Sequence, residues 1–258
     1  MKNTASEREH SALGTSAYGV QGLIEEGEAL RTLDTRIFHS AMAVAFLLTA
    51  FAGFAPTYFL RGVSHPHREP LSLLLHVHGM VFTSWLVLLV VQTSLVARHR
   101  VDWHRRLGIF GAALAVVMVP LGVMVSIAGA RHGFAAKGPE ALPFLIFPLG
   151  QILLFAAFIA TALWKRRTPE IHRRFVLLSS AVLVTPAISR LPFSGNPVVS
   201  LLLTALFVVA AMVHDWRTRR RVSPIYAWGV FVILASGPAR FALGHTGAWQ
   251  SFARWLVG

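Results

Sequence analysis

The chain of 258 residues contains no cysteine. Disulfides, thiolate catalysis, Cys-ligated iron–sulfur clusters and Cys-containing zinc sites are therefore all excluded. Lysine is almost as scarce: Lys2, Lys137 and Lys165 are the only three, and all lie outside the apolar runs. A retinal Schiff base needs an amine inside a helix bundle, so that chemistry is excluded as well. The eleven acidic residues fall in the N-terminal segment, in loops or at the ends of apolar runs. Many coupled carriers place a carboxylate near the membrane midplane; this chain offers none there, although a relay through His78 stays open. Charge is sparse overall, at 14% of residues, where a soluble domain carries about 25%.

What the chain has instead is apolar length. Hydrophobic residues make up 55% of the sequence, and the mean hydropathy is +0.59. Seven apolar runs approach the roughly 17–25 residues that a helix needs to cross a bilayer. They cover about 37–60, 72–97, 108–130, 141–164, 175–193, 197–214 and 224–243, the fifth and sixth being the shortest. The expected fold is all-α: a polytopic transmembrane helix bundle of seven spans across 37–245. A cytoplasmic N-terminal tail at 1–36 precedes it, and a short amphipathic segment at 246–258 follows. The tail contains Glu25, Glu26 and Glu28 and lacks the basic start, apolar core and small-residue ending of a secretory signal.

The net charge of +13 is unevenly placed. Basic residues crowd RHRVDWHRR (98–106), KRRTPEIHRR (165–174) and RTRRR (217–221), while the alternate loops 61–71, 131–140 and 190–196 are poorer in them. Alternation of this kind is the positive-inside pattern, and it predicts an N-in, C-out topology. The expected partners of the basic loops are membrane lipids with anionic headgroups. No nucleic-acid motif accompanies them, and no feature identifies a protein partner.

Two of these loops end alike. Asp102-Trp-His-Arg-Arg-Leu107 and Glu170-Ile-His-Arg-Arg-Phe175 repeat acid, bulky apolar, His-Arg-Arg, bulky apolar. Asp102 reads as an N-cap, and Thr168-Pro169-Glu170 as cap, first-turn proline and first-turn acid. The arginine pairs are expected at headgroup depth. A duplicated helical hairpin, spans 2–3 and 4–5, is the simplest account of the recurrence.

The strings GFAPTYFL, LHVHG, HRRLG, PLGQ, HRRF and VHD, together with Gln92, resemble a family of bacterial multi-pass, seven-helix inner-membrane proteins. The resemblance runs from about Gly53 to the end. It implies the fold and an inner-membrane location, and it carries no activity. His39, in IFHS, lies outside those strings.

Two histidines near the start of the second apolar run need explaining, because a polar group in hydrocarbon is costly without a partner. On a helix His76 and His78 point about 200° apart and cannot share one metal. Steps of seven nearly preserve a face, so His78, Trp85 and Gln92 form one stripe, expected to face the bundle interior. His76 belongs at its rim, near His65 and His67. Tyr58, Gln151, Arg190 and Arg240 are expected to converge on the same outer half. Such a set suits a small amphipathic or anionic ligand. In the alternative, both arginines snorkel to phosphate and His78 bonds a neighbouring helix.

A second constellation, His39, His104, His172 and His214 with Asp215, is a possible ligand set for zinc, iron or copper. The neighbouring Arg-Arg pairs disfavour a cation there, and Asp215 reads equally well as an ion-pair partner of the Arg219–Arg221 cluster. Haem would need facing histidines: His39 with His214, or His78 with His132 or His245. The leading functional expectation is thus a ligand pocket opening outward. A haem- or metal-dependent redox protein and a structural subunit of a membrane complex are the alternatives.

Overall fold

A computed structural model describes the backbone of residues 4–64, 66–67, 70–192 and 196–258, with side chains from residue 26 onward in those ranges. Among the described residues the protein is all-helical and contains no strand. The long helices are α1 (Thr4–Phe54), α3 (Leu73–Ala97), α4 (Val101–Lys137), α5 (Ile146–Trp164), α6 (Pro169–Ile188), α7 (Pro197–Arg219) and α8 (Pro224–Gly244). Two short ones, α2 (Arg61–Ser64) and α9 (Gly247–Val257), complete the set. Among the described residues six segments are long and apolar enough to cross a membrane: Glu26–Phe59, Leu73–Ala97, Val101–Trp164, Pro169–Ile188, Pro197–Arg219 and Pro224–Gly244. The protein is therefore a multi-pass, membrane-embedded helical bundle. The 64-residue segment contains both α4 and α5. They are separated by Gly138, at φ 65°, and the 3-10 stretch Gly138–Leu145.

Helix starts follow from short polar signals. Asn196 Oδ1 accepts from Val198 N at 2.8 Å, Ser223 Oγ from Ile225 N at 3.3 Å, and Ser72 Oγ from Leu75 N at 3.4 Å. Pro197 and Pro224 occupy the first turn, where a missing N–H costs nothing. Thr168-Pro169-Glu170 sits as expected at the start of α6, though the threonine side chain makes no cap bond. Asp102 is not a cap: Arg100 holds that position, and Asp102 lies in the first turn of α4. There its charge still complements the helix dipole. The His-Arg-Arg motifs lie inside α4 and α6, not ahead of them. Helix α1 also runs unbroken across the expected tail boundary at 36. At about 1.5 Å per residue its 51 residues span roughly 76 Å.

In hydrocarbon, helices associate through close packing more than through water exclusion, so small residues mark the contacts. A Cβ on Gly53 would lie 2.1 Å from the Ala187 carbonyl oxygen, which lets α1 rest directly on α6. A Cβ on Gly229 would meet Leu178 at 2.4 Å, and one on Gly122 would meet Ile152 at 2.9 Å. Helix α6 is central, with 56% of its membrane-length window buried. Its residues Leu178, Ala181, Val182, Val184 and Ile188 anchor the main core with Phe46, Met118 and Phe155. A smaller cluster pins α9 to the 3-10 stretch through Ala253, Val257, Leu142 and Leu145.

Candidate functional site

The rim at the Tyr58 end of the bundle is built around a glycine. After Phe54 the chain passes through a π-helical turn, Ala55–Phe59, that carries Pro56. Such turns often mark functional sites. This one swings Tyr58 onto α3, where its hydroxyl donates to the His76 carbonyl at 3.2 Å and its ring lies 5.9 Å from the His76 imidazole. Gly79 makes the approach possible, since a Cβ there would lie 2.3 Å from the tyrosine ring. GFAPTYFL and LHVHG thus describe two halves of one contact. His76 is exposed and His78 half-buried. His65 lies outside the described residues.

Below the rim runs the α3 stripe. His78 packs on Phe82 with centroids 4.0 Å apart, and Trp85 meets Phe155 of α5 edge-on at 5.5 Å. Trp85 is only 6% exposed. His78 Nδ1, Trp85 Nε1 and Gln92 Oε1 are all buried, and none has a hydrogen-bond partner among the described residues. Each such atom costs roughly 1–3 kcal/mol while unsatisfied. Thr57 Oγ1, beside Tyr58 in the chain, shares this condition. Its signal in the sequence was only its place in the π-turn string.

Arg240 and Gln151 form a separate unit. Arg240 Nη1 donates to Gln151 Oε1 and to the Phe147 carbonyl, each at 3.0 Å. Its Nη2 donates to Ser236 Oγ at 2.7 Å and its Nε to the Ser236 carbonyl at 2.9 Å. Gln151 Nε2 donates in turn to the Val182 carbonyl. A Cβ on Gly150 would strike the Arg240 stem at 2.4 Å. Arg240 is 9% exposed, so it does not snorkel; it staples α8, α5 and α6 through neutral acceptors. Arg190 behaves differently. It is exposed, donates to the Pro186 carbonyl at 2.5 Å, and lies 4.6 Å over the Phe54 ring.

At the other end of the bundle His39, His104, His172 and His214 come as two pairs. His104 and His172 meet edge-on at 6.4 Å, and His214 stacks at 4.1 Å on Phe38, next to His39. His39 Nδ1 donates to the Thr35 carbonyl and His172 Nδ1 to the Ala162 carbonyl, both at 2.8 Å. This pinning leaves Nε2 as the open nitrogen, the orientation that metal-ligating imidazoles adopt. Yet among the described residues no three His, Cys, Asp or Glu side chains come together as a metal site.

Asp215 lies elsewhere in the network than its sequence neighbours suggest. Arg174 Nη2 donates to Asp215 Oδ2 at 3.1 Å and Oδ1 at 3.3 Å, with both side chains buried. Arg174 Nη1 also donates to Glu170 Oε2 at 2.9 Å, and its guanidinium lies 5.7 Å over the Tyr226 ring. The Arg219–Arg221 cluster contributes Arg219 alone, and it binds Glu170, with Nη2 on Oε1 at 2.7 Å. The second motif's Arg174 is therefore buried among helices instead of facing outward. It needs a carboxylate because it points into the bundle, where an unpaired charge costs several kcal/mol.

No family model, no curated protein and no solved structure matches the chain.

Proposed function

We propose that this is a seven-crossing inner-membrane protein, N-in and C-out, that holds a small amphipathic ligand along the α3 stripe. Seven crossings follow if α4 and α5, which pack side by side at Gly122 and Ile152, each span. The basic ends of α3, α5 and α7 would then all face the cytoplasm. The observation that carries the ligand reading is the row of unpartnered buried atoms: His78 Nδ1, Trp85 Nε1 and Gln92 Oε1. One donor, one acceptor and an imidazole that can be either lie along about 21 Å of helix. A ligand with polar atoms at matching depths would satisfy all three. Tyr58 and His76 frame the open end, and Arg190 adds a positive charge that favours an acidic or carbonyl-bearing head. Arg240 and Gln151 position α5 against α6 and α8; they hold the wall of the pocket.

The sign of a stability change tests this. If the stripe serves only packing, replacing its bare atoms with apolar ones is harmless or favourable in every preparation. If it serves a ligand, His78→Leu and Gln92→Leu stabilise delipidated, ligand-stripped protein by about 1 kcal/mol each and destabilise protein taken gently from its membrane. Thermal unfolding of both preparations, followed by size-exclusion recovery, separates the two cases. The same sign in both preparations would contradict the proposal.

A further inference from the structure

We infer that the cleft between α1 and the end of α7 is a seat for one anionic phospholipid, with its phosphate among arginines and an acyl chain along α1. The cleft is about 410 Å³ and is lined by Leu30, Arg31 and Asp34 of α1 and by Arg217, Thr218, Arg219 and Arg220 at the end of α7. Arg219 is engaged by Glu170. Arg31, Arg217 and Arg220 have no carboxylate within ion-pair distance among the described residues, and Asp34 faces His214 at 3.8 Å. Three unneutralised guanidinium groups around one concavity match phosphate, which accepts their planar forks in pairs. Arg220 is held in the left-handed conformation, φ 54°, at the C-cap of α7, a strained setting for a residue other than glycine.

The lipid, as opposed to a soluble phosphate, is indicated by what continues from the cleft. Leu30, Ile37, Val44, Leu48 and Phe51 are 61%, 58%, 42%, 61% and 48% exposed. With Asp34 and Ala41 they follow one another at three- and four-residue steps, so they form a single stripe down one face of α1. That stripe begins inside the arginine cleft and runs along the membrane-length part of the helix. A headgroup bound at its top places an acyl chain on it. This site lies at the end of the bundle opposite Tyr58 and His76, so it stands independently of the ligand proposed on α3.

Native mass spectrometry of the full chain in mild detergent tests the seat, with phosphatidylglycerol and phosphatidylcholine titrated separately. We expect one phosphatidylglycerol to be retained in preference to phosphatidylcholine. Arg217→Gln with Arg220→Gln should weaken that binding on the order of 20-fold, from about fivefold per removed charge. Arg217→Lys with Arg220→Lys keeps the charge, tests for loss of fold, and should recover part of the affinity. Arg166→Gln with Arg167→Gln, in another basic loop, should leave it unchanged. Equal weakening by the two Gln pairs would overturn the site. Equal retention of the two lipids would overturn the anion preference, and displacement by millimolar inorganic phosphate would overturn the lipid in favour of a soluble phosphate ligand.

Discussion

The same six-residue pattern begins α4 and α6, yet the second arginine of each copy has a different fate. Arg106 is exposed and lies 5.5 Å over the Trp103 ring of its own helix. Arg174 is 6% exposed and is locked to Asp215 and Glu170. The cause lies along each helix at steps of three, four and seven. From Arg106 these steps reach Ile109, Phe110 and Ala113, all exposed; from Arg174 they reach Leu177, Leu178 and Ala181, all buried. The histidines, two residues earlier, face alike in both copies. His104 leads to buried Gly111 and His172 to buried Ser179, and the two rings meet each other. One motif therefore supplies a shared histidine contact and an arginine whose role is set by the position of its helix, peripheral or central.

Breaking the counterion should separate the copies most. Asp215→Ala takes away the buried partner of Arg174 and leaves Glu170 as its remaining counterion, so we expect a loss of about 3 kcal/mol, the lower end for breaking a buried pair, against less than about 0.5 kcal/mol for Arg106→Met on the exposed face. Recovery of monodisperse protein across a denaturant or heat series reads both. The double change Arg174→Leu with Asp215→Leu should regain most of that loss, since an apolar pair of similar volume tolerates burial. Equal effects in the two copies would dissolve the distinction.

A slightly smaller effect is expected from Gly53→Ala. Its Cβ would strike backbone, the Ala187 carbonyl, and cannot be relieved by a rotamer change. About 2–3 kcal/mol of destabilisation follows from such overpacking. Gly108→Ala, in the peripheral copy, meets only the Gln92 amide at 3.8 Å and should be close to neutral. Next comes the acid of each motif. Glu170→Gln weakens contacts to Arg173, Arg174 and Arg219 and should cost about 1–2 kcal/mol, whereas Asp102→Asn, which has no ion pair among the described residues, should cost a few tenths. The smallest expected effect is a coupling of at most about 1 kcal/mol between His104→Phe and His172→Phe, read from a double-mutant cycle.

These contrasts also show what could be read from the chain. The membrane-length helices, the Thr-Pro-Glu start of α6, and the interior face of His78, Trp85 and Gln92 follow from composition and period. The divide between Arg106 and Arg174 does not, because Ile-Phe-Ala against lipid and Leu-Leu-Ala against protein are equally apolar. Lipid tails impose no polar pattern on an outward face, so periodicity loses the information it carries in water. The Asp215 and Arg240 contacts were hidden for a second reason. Arg174 and Asp215 are 41 residues apart, and Arg240 and Gln151 are 89 apart, so only the packing order of α5, α6, α7 and α8 brings them together. Tyr58 and Gly79 met through a π-turn that no helical template anticipates.

The central claim is occupancy of the α3 stripe, and the contents of the purified protein test it most directly. Protein extracted in mild detergent would be examined by visible absorption, metal analysis and mass spectrometry of its organic extract, with wild type and the His78→Leu, Gln92→Leu variant compared at equal amounts. The account predicts one small amphipathic molecule retained near stoichiometry by the wild type and depleted about tenfold or more from the variant. Identical extracts from both, with the same spectrum and metal content, would contradict it.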